Sequence, residues 1–174
     1  MAILDIVTYP EKSLSEPSAP IDQINEEVRQ LIADMGETMF QEAGVGLAAP
    51  QVGKNLRLIV YDPAAADPDL DPEAKAVTAL INPEIIDKSE AIIISENEGC
   101  LSVLDYRADV KRHEAVTVRA LDIEGKPLEF KADGLLAIIM QHEIDHLDGI
   151  LFIDRLDAES RMELLKKVEE VTSQ

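Results

Sequence analysis

The sequence lacks the features that define several large classes of protein. Its single cysteine, Cys100, excludes a disulfide within the 174-residue chain. No apolar run reaches the roughly 20 residues that a membrane-spanning helix needs. The first residues, MAILDIVTYPEK, lack the basic start and apolar middle of a secretory signal. We therefore expect a cytoplasmic protein that does not enter a membrane.

Basic residues are also scarce, with 16 Lys and Arg against 35 Asp and Glu and a formal net charge of −19. Proteins that bind nucleic acid usually show the opposite balance or a basic stripe, because contacts to phosphate carry most of their affinity. The composition therefore argues against direct DNA binding and against anionic membranes. It indicates a well-solvated acidic surface.

The chain has no internal repeat, no heptad array and no GxGxxG. The glycine-rich stretch at 44–53, GVGLAAPQVG, lacks the Lys-Ser/Thr ending of a phosphate-binding loop. It predicts neither a helix nor a strand, and its small residues favour close approach of the backbone to another chain. The length and an apolar content of 46% suit one domain over residues 1–174.

Apolar spacing predicts three helices and several strands. The first helix runs from about 25 to 42, with Asn25 as N-cap and Gly44 as a stop. The second runs from Asp133, the expected N-cap, to Leu147, and apolar residues on nearly all its sides predict a buried position. The third spans roughly 158–172. Strands are predicted at 56–61, 77–86, 91–95, 115–122 and 127–130, with an exposed acidic loop at 62–75.

The buried second helix contains HEIDH, an HExxH motif. His142 and His146 are four residues apart and share a helix face, so both imidazoles can reach one metal ion. Glu143 is rotated away from that face and can reach a water at the metal as a general base. The alternative, a helix with two histidines satisfied by core contacts, is disfavoured because two of the chain's three histidines stand in this motif.

Two histidines leave a tetrahedral metal in need of a third protein ligand. No third histidine follows the motif at a suitable spacing. Cys100, in EGCLS, offers a thiolate that zinc and ferrous iron bind strongly. Carboxylates such as Glu98 stay open as alternatives.

Three motifs resemble those of bacterial peptide deformylase along nearly the whole chain. They are GVGLAAPQVG at 44–53, EGCLS at 98–102 and QHEIDHLDG at 141–149, in the same order and spacing. The resemblance implies an α+β domain whose central HExxH helix is surrounded by antiparallel strands, with an N-terminal and a C-terminal helix. It implies a metal-dependent hydrolase that removes the formyl group from formyl-methionine at the N-terminus of new polypeptides.

The resemblance also assigns the site. It implies Cys100, His142 and His146 as ligands of Fe²⁺, with Zn²⁺, Ni²⁺ or Co²⁺ as possible replacements. Glu143 would move the proton, and Gln51 and the Leu101 N–H would stabilise the oxyanion. The residues expected along the substrate are Val45, Gly46, Arg107, Leu135, Ile138 and Ile139, although core packing competes with a pocket role for the apolar side chains.

Some features depart from the family pattern. Leu104 stands where relatives have proline, which puts the path of 104–107 and the role of Arg107 in question. Residues 155–174 hold four basic and five acidic side chains, so contact with the ribosome is only weakly supported.

Two alternative functions are a metallopeptidase that cuts internal peptide bonds and a non-catalytic relative of the family. The other two motifs disfavour the first, and intact Glu143 and Gln51 disfavour the second.

Overall fold

The computed structural model describes residues 2–172, which form three α-helices and seven β-strands. The helices are α1 (Glu26–Gln41), α2 (Gly134–Leu147) and α3 (Ala158–Thr172). The strands are β1 (Gly46–Ala48), β2 (Leu58–Tyr61), β3 (Thr78–Lys88), β4 (Ile92–Cys100), β5 (Val103–His113), β6 (Ala115–Leu121) and β7 (Pro127–Asp133). This arrangement confirms the predicted α+β class.

Five strands form one antiparallel sheet in the order β1-β2-β3-β6-β7. All four residues of β2 are buried, because both faces of the sheet are covered. Leu58 and Val60 pack in a core cluster with α1, whereas Ile59 and Tyr61 pack in a cluster with α2. The sheet therefore lies between these two helices, as the alternation of side chains along a strand requires.

The helix α1 agrees closely with its prediction. The side chain of Asn25 accepts a hydrogen bond from the backbone N–H of Val28 at 3.0 Å, which confirms the N-cap. After Gln41 the chain turns through Ala43, whose φ is +56°, and the N–H of Gly44 bonds to the Met39 carbonyl. The helix thus ends one residue before the predicted limit.

The second helix is buried mainly in its later turns. Residues 139–147 are all buried, whereas Leu135 in the first turn is 44% exposed. Asp133 occupies the predicted N-cap position, although its side chain forms no capping hydrogen bond. In α3, by contrast, the side chain of Asp157 does form such a bond, because it accepts from the backbone N–H of Ser160.

Two sequence-based interpretations need correction in the strands. Residues 44–53 were expected to be irregular, yet they contain β1 and a 3-10 turn at Ala49–Val52. Pairing with β2, on the other side of the 3-10 turn, imposes this structure. The strand predicted at 91–95 extends as β4 to Cys100, and its partner β5 was not predicted. Irregular pairing between Ser95 and Cys100 obscures the alternation of side chains in this two-stranded sheet.

In the part of the chain described here, no helix combines the length and the apolar character that crossing a membrane requires. The loop at 62–75 contains two short 3-10 turns. Residues 67–75 are exposed, as predicted, whereas residues 62–66 are only partly exposed.

The turn after α2 makes Gly149 a sensitive position. Its φ is +75°, and a Cβ there would lie 2.5 Å from the carbonyl oxygen of Ser15. Gly134 also has a positive φ, +55°, but a Cβ there meets nothing within 4 Å. We expect Gly149→Ala to lower the free energy of unfolding by about 2–4 kcal/mol, since left-handed backbone and overpacking add.

Gly134→Ala is the matched control, because it adds the same methyl group with only the backbone cost of about 1–2 kcal/mol. Urea unfolding of both variants measures the difference. Equal losses of stability would show that the close approach of Ser15 to Gly149 does not matter.

Candidate metal centre

The fold brings together the three residues that the sequence suggested as metal ligands. Cys100 ends β4, whereas His142 and His146 lie one turn apart on α2. One ligand atom from each residue lies within 4.8 Å of the others, and Cys100 Sγ is 3.3 Å from His146 Nε2. A single metal ion with bonds of about 2.0–2.3 Å to nitrogen and sulfur fits such a cluster.

Glu98 lies behind His142 and accepts hydrogen bonds from the side chains of His142 and Arg112. Its Oε1 accepts a hydrogen bond from His142 Nδ1 at 2.6 Å, and both carboxylate oxygens accept from Arg112. Because Nδ1 donates to the carboxylate, the lone pair of the neutral ring is on Nε2. This arrangement favours Cys100 over Glu98 as the third ligand.

A buried ion network continues from Glu98 to the far side of α2. Arg112 Nη1 donates to Asp145 Oδ2 at 2.9 Å, and Arg155 Nη2 donates to Asp145 Oδ1 at 2.7 Å. Asp145 therefore faces away from the cluster and binds the two arginines. The sequence analysis missed Arg112, because a lone arginine in a charged stretch gives no sign of being buried.

The two glutamates of the site have opposite pKa shifts. Burial disfavours the ionised form of Glu98, but hydrogen bonds from His142 and Arg112 outweigh this effect and lower its pKa to about 2. Burial raises the pKa of Glu143 to about 7. Glu98 is thus ionised at neutral pH, whereas Glu143 has a pKa suited to taking up and releasing a proton there.

Glu143 lies between α2 and the backbone of β1. Its Oε1 is 3.9 Å from His142 Nε2, and its buried Oε2 has no hydrogen-bond partner among the described residues. A Cβ on Gly46 would lie 3.0–3.1 Å from the Glu143 side chain. The glycine therefore lets the strand pass directly beside the carboxylate.

Gln51 directs its amide group toward the same cluster. Its Nε2 lies 3.4 Å from Cys100 Sγ and 3.2 Å from Ser102 Oγ, while its Oε1 accepts from the N–H of Ala48. Leu101 follows Cys100 in the turn between β4 and β5. The sequence analysis did not single out Ser102, which helps to hold the Gln51 amide in place.

A cavity of about 720 Å³ opens onto this cluster. Apart from His146, which lies deeper, every residue assigned to the site lines it: Val45, Gly46, Gln51, Cys100, Leu101, Arg107, Leu135, Ile138, Ile139, His142 and Glu143. Among the apolar members, Ile139 also belongs to the core beneath the sheet, whereas Val45 and Leu135 are each 44% exposed. Whether an apolar side chain contributes to the pocket or to the core therefore differs from one of these residues to the next.

Three residues border the centre. Phe152, which the sequence analysis did not identify, stacks on the His142 ring with centroids 6.3 Å apart. Arg107 lies at the rim, where its Nη1 is 3.3 Å from the carbonyl oxygen of Asn97. Leu104 lines the cavity and is 58% exposed.

Comparison with known proteins identifies the group to which this architecture belongs. The model of the polypeptide deformylase family matches residues 3–162. The peptide deformylase of Alkalilimnicola ehrlichii is 46% identical over all of this chain and 93% of its own length. That of Syntrophobacter fumaroxidans is also 46% identical, over 99% of this chain and its entire own length.

Solved structures agree with this relationship. A peptide deformylase from Legionella pneumophila superimposes with a TM-score of 0.86 and 41% identity, covering 99% of this chain and 96% of the other. One from Synechococcus elongatus, in complex with actinonin, gives a TM-score of 0.84 and 40% identity over 95% and 86%. These matches confirm the resemblance drawn from the three motifs, and the chain belongs to the polypeptide deformylase family.

Proposed function

We propose that this chain hydrolyses the formyl amide of N-formylmethionyl peptides at a metal held by Cys100, His142 and His146. The observation that carries the proposal is the position of Glu143, which shares one cavity with two of these ligands and with Gln51. As a member of its family the chain is a metal-dependent peptide deformylase. The residue roles below are our assignment.

The donor set supports a divalent transition metal. One thiolate and two imidazoles suit ferrous iron and zinc alike, and three protein ligands leave a position open for a reacting group. We propose Fe²⁺ as the physiological ion, with Zn²⁺, Ni²⁺ or Co²⁺ able to replace it. Metal analysis after anaerobic purification tests that choice.

A metal bound there supplies Lewis acidity toward the formyl oxygen and toward the attacking water. Glu143 Oε2 has no hydrogen-bond partner among the described residues. It accepts a proton from the water molecule while the water oxygen attacks the formyl carbon. When the C–N bond breaks, Glu143 returns that proton to the leaving amine. Formate and a peptide with a free N-terminus are the products.

The oxyanion that forms on the formyl oxygen needs hydrogen-bond donors. The Gln51 amide is held in place by Ser102 and Ala48, with its nitrogen 3.4 Å from Cys100 Sγ. We assign stabilisation of the oxyanion to this amide and to the backbone N–H of Leu101. Donors oriented in advance cost no reorganisation during the reaction.

The peptide itself has an edge strand to pair with. Among the described strands, β1 is the terminal member of its sheet and pairs only with β2. Its free edge, at Gly46, can pair with an extended peptide, as in other cases of strand addition. We assign Ile138, Ile139, Leu135 and Val45 to the surface that receives the methionine side chain, and Arg107 to the rim.

The cellular context follows from the substrate. Formyl-methionyl chains are the products of bacterial translation, so we propose a cytoplasmic enzyme that acts on nascent chains. Contact with the ribosome stays a weak prediction because of the acidic residues at 155–174.

We expect Glu143→Ala to keep its metal and to lose at least about 10²-fold in kcat, since general acid–base catalysis contributes about 10²–10⁴-fold. Metal content and formate release are measured on the same preparation. Cys100→Ser is the companion variant, and it should lose metal because a hydroxyl is a poorer ligand than a thiolate. A Glu143→Ala enzyme with near-normal kcat would remove Glu143 from the mechanism.

We expect formate release from formyl-methionyl peptides, much slower hydrolysis of matched acetyl-methionyl peptides, and no cleavage of internal bonds. A formyl carbon carries only hydrogen, whereas a larger acyl group would have to fit where the backbone of Gly46 and the side chain of Glu143 already lie so close that a Cβ on Gly46 would be 3.0–3.1 Å from Glu143. A formate assay and mass spectrometry of the products from both peptide types measure the outcome. Internal fragments without formate would favour the metallopeptidase alternative.

A further inference from the structure

A second cavity, of about 750 Å³, lies beside α1. It is bounded by α1, the start of β3 and the turn between β6 and β7, and its described lining residues are all different from those of the cavity at the metal cluster. His142 and His146 belong to α2, which packs on the opposite face of the sheet from α1. The mechanism above therefore gives this cavity no role.

The cavity has the size and the lining of a small-molecule site. Such sites usually measure roughly 300–1,000 Å³ and combine a mainly apolar wall with a few polar groups. The larger apolar side chains here are Ile32, Phe40, Val77 and Ile123. A Cβ on Gly36 would lie 2.8 Å from Val77, so the glycine lets this side of the cavity approach α1 closely. An apolar molecule of moderate size can therefore be enclosed.

The carboxylate of Glu37, which lines this cavity, has no partner in the protein. Its Oε2 is buried and forms no hydrogen bond with any described residue. Within the described part of the chain, no Lys, Arg or His nitrogen lies within 4.0 Å of the carboxylate. Nearly all buried polar atoms in native proteins are hydrogen-bonded, so an exception calls for a partner from outside the chain.

Unpartnered atoms of this kind are few, and they are concentrated where a ligand is expected. Among the described residues, four buried side-chain oxygen or nitrogen atoms lack a hydrogen-bond partner, and two of them, Glu143 Oε2 and His146 Nδ1, belong to the candidate metal centre. The others are Glu37 Oε2 and Ser18 Oγ. Glu37 lines the cavity at α1, whereas Ser18 lines neither this cavity nor the one at the metal cluster.

The charge of the cavity favours a cation. In the described lining, Glu37 and Asp122 are acidic and Lys75 is the one Lys or Arg. Asp122 Oδ1 already accepts hydrogen bonds from the backbone N–H groups of Glu124 and Lys126, which leaves Glu37 as the carboxylate with most capacity to bind a ligand. The net charge of −19 raises the local concentration of cations further.

We propose that this cavity binds a small primary amine with an aromatic or aliphatic body. The ammonium group donates to the Glu37 carboxylate, since charge-assisted hydrogen bonds are the stronger kind. The apolar body packs against Ile32, Phe40 and Ile123. Because the site is separate from the metal centre, this inference does not depend on the proposed deformylase function.

The test uses zinc-loaded protein and three probes of similar size, which are phenethylamine, phenethyl alcohol and hydrocinnamate. NMR titration of the backbone amides measures each Kd and locates the bound probe. We expect the amine to bind about 10-fold or more tightly than the alcohol, because hydrogen bonds to charged groups are the stronger ones. Hydrocinnamate, which is an anion, should bind most weakly. The amide signals of α1 and Ile123 should shift.

Variants separate the role of the carboxylate from that of overall charge. Glu37→Gln keeps the shape of the side chain and should reduce the preference for amine over alcohol by about 5-fold or more. Ala33→Leu fills part of the cavity and should weaken both probes alike. The matched control is Glu27→Gln, which removes one charge at an exposed position of the same helix, outside the cavity, and should leave the preference unchanged. Thermal unfolding shows whether each variant is folded.

Equal affinities for amine and alcohol, equal effects of Glu37→Gln and Glu27→Gln, or shifts confined to the cavity at the metal cluster would overturn the inference. Absence of binding by every probe would also overturn it and would show that water alone satisfies Glu37. A formate assay on the same preparation tests the deformylase assignment separately.

Discussion

The hydrogen bond between Glu98 and His142, 2.6 Å long, is the contact on which the proposed metal centre depends. It directs the lone pair of the neutral His142 ring to Nε2, on the side of Cys100 and His146. Glu98 belongs to the strand that ends in Cys100, so the same carboxylate also sets the position of β4 relative to α2. Groups that bond to ligating histidines commonly have this orienting effect on a metal site.

Arg112 makes it possible to bury this carboxylate. It lies between Glu98 and Asp145, with only 3% of its side chain exposed, and Arg155 binds the far side of Asp145. Removing ions from water costs several kcal/mol per ion, which only close partners offset. The network connects β4, β5, α2 and the segment before α3, and so it stabilises one relative position of these elements. The network therefore contributes more to the relative positions of these elements than to the net free energy of folding.

The sequence was sufficient to predict the helices, the HExxH histidines and the family. These features depend on local spacing, as with the buried stripe of α1, or on residues whose types and intervals are rare by chance. It was insufficient for β1 and β5, in which the alternation of apolar and polar side chains is short or interrupted. It was also insufficient for Arg112, which reaches Glu98 only in the folded chain, and for Phe152, which reaches His142 only there. Irregular pairing and positive φ at Asn97 and Asp105 hid the strand pattern of the β4–β5 sheet.

The most direct test of this account is the metal affinity of the Glu98→Gln variant. It is measured by competition with a chelator, at a temperature well below the midpoint of thermal unfolding. The substitution keeps the shape of the side chain but removes the charge that fixes the His142 ring. The account predicts that affinity falls by about 10- to 100-fold, as is typical when such a partner is lost, while the chain stays folded by circular dichroism. Unchanged affinity in the folded variant would contradict the claim that the Glu98–His142 hydrogen bond organises the centre.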